Sequence, residues 1–241
     1  RMRRTPLGFQ KEEENLLSSM LSQGVIQHSN SGWAAAPVLV RKKDGTVRYC
    51  IDYRALNSRT VKDAFPLPLI EECLDALAGV QFMSTLDMQS GYWQIEIDPK
   101  DRHKTAFITK YGLFEHVRMA FGLCNAPATH QRAMNFLLQG MLWKKALAYL
   151  DDTIILGRSF QEHVSNMEQV LQRFRQHTLK LKPKKCKLFC TEVEFLGKKV
   201  GRDGVGIQDS KIKAVQDWST PIDKKELEQF LGFVNYHRSF I

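Results

Sequence analysis

The stretch Ala146-Leu147-Ala148-Tyr149-Leu150-Asp151-Asp152-Thr153-Ile154-Ile155-Leu156 constrains the fold more than any other. Two apolar, β-prone runs flank a pair of adjacent acids, the pattern of two neighbouring buried strands joined by a polar turn. Carboxylates at the rim of such a core repel each other and lose hydration, so ionising them is costly. A divalent cation relieves both penalties, and oxygen-only ligation with room for water and phosphate oxygens is what magnesium prefers. Spacing alone equally admits a plain polar turn, because adjacent acids are common in turns. A further acid, Asp87, ends the β-prone run Phe82-Met83-Ser84-Thr85-Leu86 and precedes Ser90-Gly91-Tyr92. If the two strand ends meet, Asp87, Asp151 and Asp152 make a carboxylate cluster able to hold two metals, an arrangement suited to phosphoryl transfer.

Around these acids, helix and strand patterns alternate without an internal repeat. Leu16, Leu17, Met20 and Leu21 set a helical stripe that Gly24 can end. Val38 to Val40 and Val47 to Ile51 flank Lys43-Asp44-Gly45-Thr46, a hairpin signal that carries Arg41, Lys42, Lys43 and Arg48 near its tip. Leu69, Ile70, Cys73, Leu74 and Leu77 predict a helix closed by Gly79, and Trp93, Ile95 and Ile97 alternate with polar residues as in a half-buried strand. Pro127 suits the first turn of a helix over Met134, Leu137, Leu138 and Met141. Ser159 and Glu162 predict a capping box for a helix bearing Phe160, Val164, Met167, Leu171 and Phe174. Val193 to Val200 reads as a strand, Asp203-Gly204 as a hairpin turn, and Ser210 to Trp218 and Lys224 to His237 as helices, the second capped by Asp223 and Glu226. The fold class is α+β, with helices packed on a largely antiparallel sheet.

Charge narrows the partners. The chain has 35 Lys plus Arg against 26 Asp plus Glu, a formal net charge of +9 that favours a polyanion. Between Arg173 and Lys187 every charged residue is basic, which suits either a phosphate track or a solvated helix end. The 43% hydrophobic content argues against disorder. Five sparse cysteines read as reduced thiols in an intracellular compartment. No apolar run approaches the ~20 residues of a membrane span, so no membrane partner is expected. The first residue is Arg1 rather than Met, and a piece of a longer protein is expected.

At Tyr149-Leu150-Asp151-Asp152 the sequence resembles the signature of reverse transcriptases, and Leu86-Asp87-Met88-Gln89-Ser90-Gly91-Tyr92 resembles their first catalytic-aspartate motif. Phe121-Gly122-Leu123-Cys124-Asn125-Ala126-Pro127-Ala128-Thr129 is similar to the palm motif of Gypsy-class long-terminal-repeat retrotransposons. Lys42-Lys43-Asp44-Gly45 through Ile51-Asp52-Tyr53-Arg54-Ala55-Leu56-Asn57 resembles the fingers motif of that class. Leu181-Lys182, Lys184 to Cys186, Phe195-Leu196-Gly197 and Phe230-Leu231-Gly232 to Tyr236 continue the match in order. His130 departs from it, standing where the family generally has Phe.

The resemblance implies a right-hand polymerase: fingers over 1–81, palm over 82–200 with part of the fingers around 99–119, and the start of a thumb over 201–241. It implies an RNA-directed DNA polymerase with two Mg2+ ions, or Mn2+ in their place, held by Asp87, Asp151 and Asp152. Lys42 or Lys43 with Arg48 would grip the triphosphate, Met88, Tyr92 and Phe121 would line the nucleotide site, and Tyr92 would exclude a 2′-hydroxyl. Tyr149, Leu150, Phe195, Leu196, Gly197, Lys198, Lys182, Lys184 and Lys185 would meet the primer–template. The implied partners are an RNA or DNA primer–template, deoxynucleoside triphosphates and the remainder of a Pol polyprotein. The connection, RNase H and integrase regions lie outside this sequence, and RNase H activity belongs only to the parent polyprotein. A cytoplasmic virus-like particle is the implied location for an active element. The competing reading is a host-captured or truncated module that binds nucleic acid without synthesis.

Overall fold

The structure, a computed structural model, describes residues 6–41, 45, 47–202, 204–236 and 238. In chain order its elements are α1 (Gln10–Ser22), β1 (Ile26–His28), β2 (Pro37–Arg41), β3 (Val47–Ile51), α2 (Arg54–Asn57), α3 (Ile70–Asp75) and β4 (Phe82–Asp87). These are followed by α4 (Pro99–Arg102), β5 (Phe107–Thr109), β6 (Gly112–His116), α5 (Ala126–Leu137), β7 (Ala146–Tyr149), β8 (Asp152–Gly157) and α6 (Phe160–Gln176). The last are β9 (Lys187–Cys190), β10 (Glu192–Phe195), β11 (Lys198–Gly201), β12 (Gly204–Ile207), α7 (Asp209–Gln216) and α8 (Lys224–Tyr236). The chain divides into two compact units, residues 1–67 with 88–136, and residues 68–87 with 137–241.

The first unit holds a sheet in the order β1-β6-β5 and the hairpin β2-β3. Leu17 and Met20 on α1 pack with Ile26, Ile51, Tyr53, Phe107 and Phe114 into one core. The helix ends as expected at Gly24 (φ 65°), where the Gly24 and Val25 amides donate to the Leu21 and Met20 carbonyls. In the expected hairpin Arg41 faces Val47. Lys42, Lys43, Asp44 and Thr46 of its tip lie outside the described residues.

The alternating run at Trp93 is not a strand along its length. Ser90 takes a left-handed conformation (φ 50°), and the Trp93 amide donates to its carbonyl at 2.8 Å, so Gly91–Gln94 curls into a 3-10 turn. Extended pairing survives only beyond it, where the Ile97 amide donates to the Val117 carbonyl and the Met119 amide to that of Ile95. Alternation reports which side chains are half-buried and is blind to a left-handed residue that redirects the chain.

Buried at 3% exposure, His116 touches the Phe107 and Tyr53 rings, and neither of its ring nitrogens has a hydrogen-bond partner among the described residues. Burial pushes its pKa down to about 4. The folded chain therefore keeps His116 neutral, whereas the unfolded chain protonates it near pH 6.5. Its contribution is present above pH ~6.5 and is lost as pH falls toward ~4, up to about 3 kcal/mol for a shift of this size. Urea unfolding at pH 7 and pH 4.5 is expected to show a smaller drop in midpoint for His116→Phe than for the unsubstituted chain. An equal drop in both would remove His116 as the cause.

The second unit is built on an antiparallel sheet in the order β7-β8-β4-β9, with a second sheet β10-β11-β12. Met83, Leu147, Ile154 and Leu156 pack there with Cys73, Leu77, Val193, Phe195 and Val200. The expected cap on α6 forms at Ser159, whose Oγ accepts from the Glu162 amide at 3.2 Å, while Glu162 Oε2 reaches back past Ser159 to accept from the Arg158 amide. The buried face of α6, however, is His163, Asn166, Met167, Val170 and Phe174, while Phe160, Val164 and Leu171 are exposed. Polar partners select that face. His163 Nε2 and Ser84 Oγ are 2.8 Å apart, and Asn166 Nδ2 donates to the Leu156 carbonyl at 2.9 Å. Residues Val193 to Val200, expected as one strand, split into the β10–β11 hairpin because Leu196 (φ 49°) and Gly197 (φ 76°) turn the chain. At the C-terminal end Asp223 Oδ1 accepts from the Glu226 amide at 2.7 Å, as the capping signal predicts.

Candidate active site

Strand pairing brings the acids together. In the β4–β8 ladder Leu86 faces Thr153 and Asp87 faces Asp152, and in the β7–β8 ladder Tyr149 faces the same Asp152. A two-residue turn, Leu150-Asp151, joins β7 to β8, with Leu150 left-handed at φ 53°. Positive φ at the first turn residue matches the twist of a tight hairpin. Beyond Asp152, residues Thr153 to Leu156 are 0–4% exposed, so the hairpin is anchored in the core while both acids stand at its exposed turn.

The electrostatics are those of crowded carboxylates. Desolvation raises the Asp152 pKa, the negative charges of Asp151 and Asp87 raise it further, and Lys185 works in the opposite direction. Lys185 Nζ lies 3.3 Å from Asp87 Oδ2, and the Lys182 amide donates to the Asp87 carbonyl at 2.8 Å. The segment that precedes β9 is thereby tied to the end of β4. Asp87, Asp152, Lys185, Phe195, Leu196 and Gly197, all singled out by sequence, line one cavity of about 300 Å³. Lys187, Glu194, Thr153 and Gln208 line it too. Glu194 and Gln208 were not singled out, because an isolated polar residue near a strand end carries no spacing signal.

Other expected contacts are placed differently. The Lys182 and Lys184 side chains are exposed and do not line this cavity. Arg173, at the head of the basic run, donates to the Leu137 carbonyl at 2.7 Å and so binds within its own unit. Lys198, which the resemblance places against the primer–template, is 6% exposed, and burial lowers its pKa. It faces Phe195 across the hairpin, and cross-strand partners share a face of the sheet, so both turn toward the core. The backbone turn at Leu196-Gly197 is what this stretch offers the cavity.

Among the described residues, no three His, Cys, Asp or Glu side chains already enclose a metal-sized point. The donor set nonetheless fits a hard divalent cation. It is made of carboxylate oxygens, one of them protonated more readily than usual because of burial and then neighbouring negative charge, with an ammonium group as the local counter-charge.

A second constellation belongs to the first unit. The half-buried Tyr92, in the 3-10 turn, has its ring centroid 5.0 Å from that of Phe121, and Trp93 meets Phe121 at 6.4 Å. Phe121 remains 46% exposed, which leaves an open aromatic surface. His130 is 2% exposed and meets Tyr92 edge-on at 5.4 Å, and Met88 is also buried. Arg48 is exposed on β3 opposite Val40, while Lys42 and Lys43 lie outside the described residues. A larger cavity in this unit, about 770 Å³, is lined by Trp33, Ala34 to Ala36, Asp52 to Leu56, Lys104 and Ala106. Its Asp52 carboxylate is already bound by the Arg54 guanidinium through two contacts of 2.8 Å, so size does not make it the reactive centre.

Comparison with known proteins supplies a context for these groups. Residues 40–200 match the family described as reverse transcriptase (RNA-dependent DNA polymerase). The chain is 42% identical over 235 residues to a retrovirus-related Pol polyprotein from transposon 297 of Drosophila melanogaster, covering 95% of this chain and 22% of the relative. It is 34% identical over 236 residues to the transposon Tf2-3 polyprotein of Schizosaccharomyces pombe, covering 98% of this chain and 18% of the relative. The chain thus spans about a fifth of the transposon polyproteins it matches. Among solved structures, a foamy viral protease-reverse transcriptase in complex with double-stranded DNA superposes with a TM-score of 0.92 at 25% identity, covering 99% of this chain and 42% of that one. The foamy viral enzyme in complex with an RNA/DNA hybrid gives 0.89, covering 99% of this chain and 32% of that one.

Proposed function

Because the chain belongs to the reverse transcriptase family, we propose that it extends a primer on an RNA or DNA template, adding deoxynucleotides to the primer 3′ end. The observation that carries this reading is the register of Asp87 against Asp152, with Asp151 at the adjoining turn. Asp87 and Asp151 would hold two Mg2+ ions with help from Asp152. Bound there, the ions supply activation of the attacking hydroxyl and neutralisation of the leaving pyrophosphate. The chain's own residues then position and balance charge. Lys185 offsets negative charge beside Asp87, and the Leu196-Gly197 turn supports the primer end. Tyr92 and Phe121 take the sugar and base of the incoming deoxynucleotide, with Tyr92 excluding a 2′-hydroxyl. Arg48, with Lys42 or Lys43, holds the triphosphate. Lys182 and Lys184 meet the duplex through its phosphates, which suits an enzyme that must copy any sequence.

Primer extension on poly(rA)·oligo(dT) with Mg2+ tests this reading. Incorporation of dTTP, with UTP used far less efficiently, is the expected outcome. Salt-sensitive binding of the duplex without any extension would favour a binding module and overturn the proposal.

A further inference from the structure

The Phe121 ring stays 46% exposed beside Tyr92 and Trp93, so the position of the backbone that carries it decides how those rings meet. The segment from Phe121 to Asn125 lies in neither helix nor strand, and its polar groups need partners outside a ladder. One side chain supplies two of them. Asn57, at the end of α2, donates from Nδ2 to the Gly122 carbonyl at 2.8 Å and accepts at Oδ1 from the Cys124 amide at 2.9 Å. An amide side chain bonded at both ends fixes a segment in position and in orientation, as a strand neighbour would.

The surroundings leave this segment little freedom to find another seat. Gly122 has φ 92°, a conformation that L side chains rarely adopt, and a Cβ there would stand 3.4 Å from the Ile51 carbonyl oxygen. The platform is firm too. The neighbouring Tyr53 is 2% exposed, and its hydroxyl donates to the Thr105 carbonyl at 2.9 Å. Asn57 itself is only half-buried, so its loss removes the two bonds without opening a core cavity.

We propose that Asn57 is a positioning residue for nucleotide selection: by clamping Gly122 and Cys124 it holds Phe121 against Tyr92 and so sets the width of the slot that takes the deoxyribose. This inference rests on the reading that Tyr92 and Phe121 meet the incoming nucleotide. Two hydrogen bonds of ordinary strength correspond to about a tenfold effect or somewhat more.

The test compares the unsubstituted chain with Asn57→Ala and Asn57→Asp, which keeps an acceptor for Cys124 and loses the donor to Gly122. Asn57→Ala is expected to raise the KM for dTTP about tenfold and to reduce the dTTP over UTP preference. Its kcat and duplex Kd should stay within about threefold, with Asn57→Asp intermediate. Amide hydrogen exchange over residues 121–125 should speed up in Asn57→Ala with Tm lowered by only about a few degrees. Unchanged exchange there would overturn the clamp. Faster exchange with unchanged KM and sugar preference would overturn its role in selection, and a parallel loss of kcat, duplex binding and Tm would reduce Asn57 to a structural residue. If the unsubstituted chain does not extend primers at all, the polymerase reading fails and this role fails with it, whereas the exchange result still shows whether the clamp exists.

Discussion

Asp151→Asn should reduce primer extension by at least about 10³-fold while the protein stays folded and binds the duplex with nearly unchanged affinity. The loss follows from removing a charged oxygen from the group proposed to hold cations and face developing charge on phosphate. The stability side has the opposite sign. Asp151 and Asp87 both raise the Asp152 pKa, so the three acids repel one another in the folded state, and neutralising one removes repulsion. Tm is therefore expected to stay level or rise slightly. Asp87→Asn should behave similarly in extension but without the gain in stability, since it also ends the Lys185 ion pair. Steady-state incorporation, thermal unfolding and duplex binding measured on the same preparations check all three statements. Loss of activity accompanied by unfolding would mean that the acids serve the hairpin rather than the chemistry.

The largest structural effect is expected from Gly157→Ala. A Cβ at the end of β8 would stand 2.4 Å from His163 Cβ, 2.7 Å from His163 Cα and 2.8 Å from its amide nitrogen. No rotamer change relieves contact with main-chain atoms, so α6 must move away from the sheet. Overpacking of this kind costs about 3 kcal/mol or more, which for a chain of this size lowers Tm by roughly 10 °C. The displacement would also pull on the site. His163 is bonded to Ser84 on β4, and Ser84 Oγ accepts from the Phe189 amide on β9 at 3.0 Å. β4 carries Asp87, and the segment before β9 carries Lys185. Adding His163→Ala should not rescue Gly157→Ala, because the Cα and amide contacts remain. Recovery of Tm in the double variant would show that the close approach is a matter of side chains alone.

Much of this site is legible in the amino-acid sequence. The paired acids between apolar runs define a hairpin whose turn carries charge, and the register of β4 against β8 is the meeting of strand ends that the pattern allowed. Caps and glycine stops were legible because each depends on one or two neighbouring residues. The misjudged features depend on partners distant in sequence. The inward face of α6 is chosen by Ser84 and the Leu156 carbonyl, which no helical period reveals. Lys198 turns inward because it is paired with Phe195, and a count of basic residues cannot see register. The Asn57 clamp joins residues more than sixty positions apart through a side chain of ordinary polarity, and only the fold brings them together.

On the proposed function, Asp87, Asp151 and Asp152 hold the ions with which this chain joins a nucleotide to a primer. The most direct test of this role is single-nucleotide incorporation into oligo(dT) on poly(rA) by chelator-stripped protein as Mg2+ is added back. The stripped protein should show no incorporation, and added Mg2+ should give a saturable rise that Asp151→Asn abolishes. Incorporation that persists in excess chelator, or that Asp151→Asn performs at the unsubstituted rate, would contradict it.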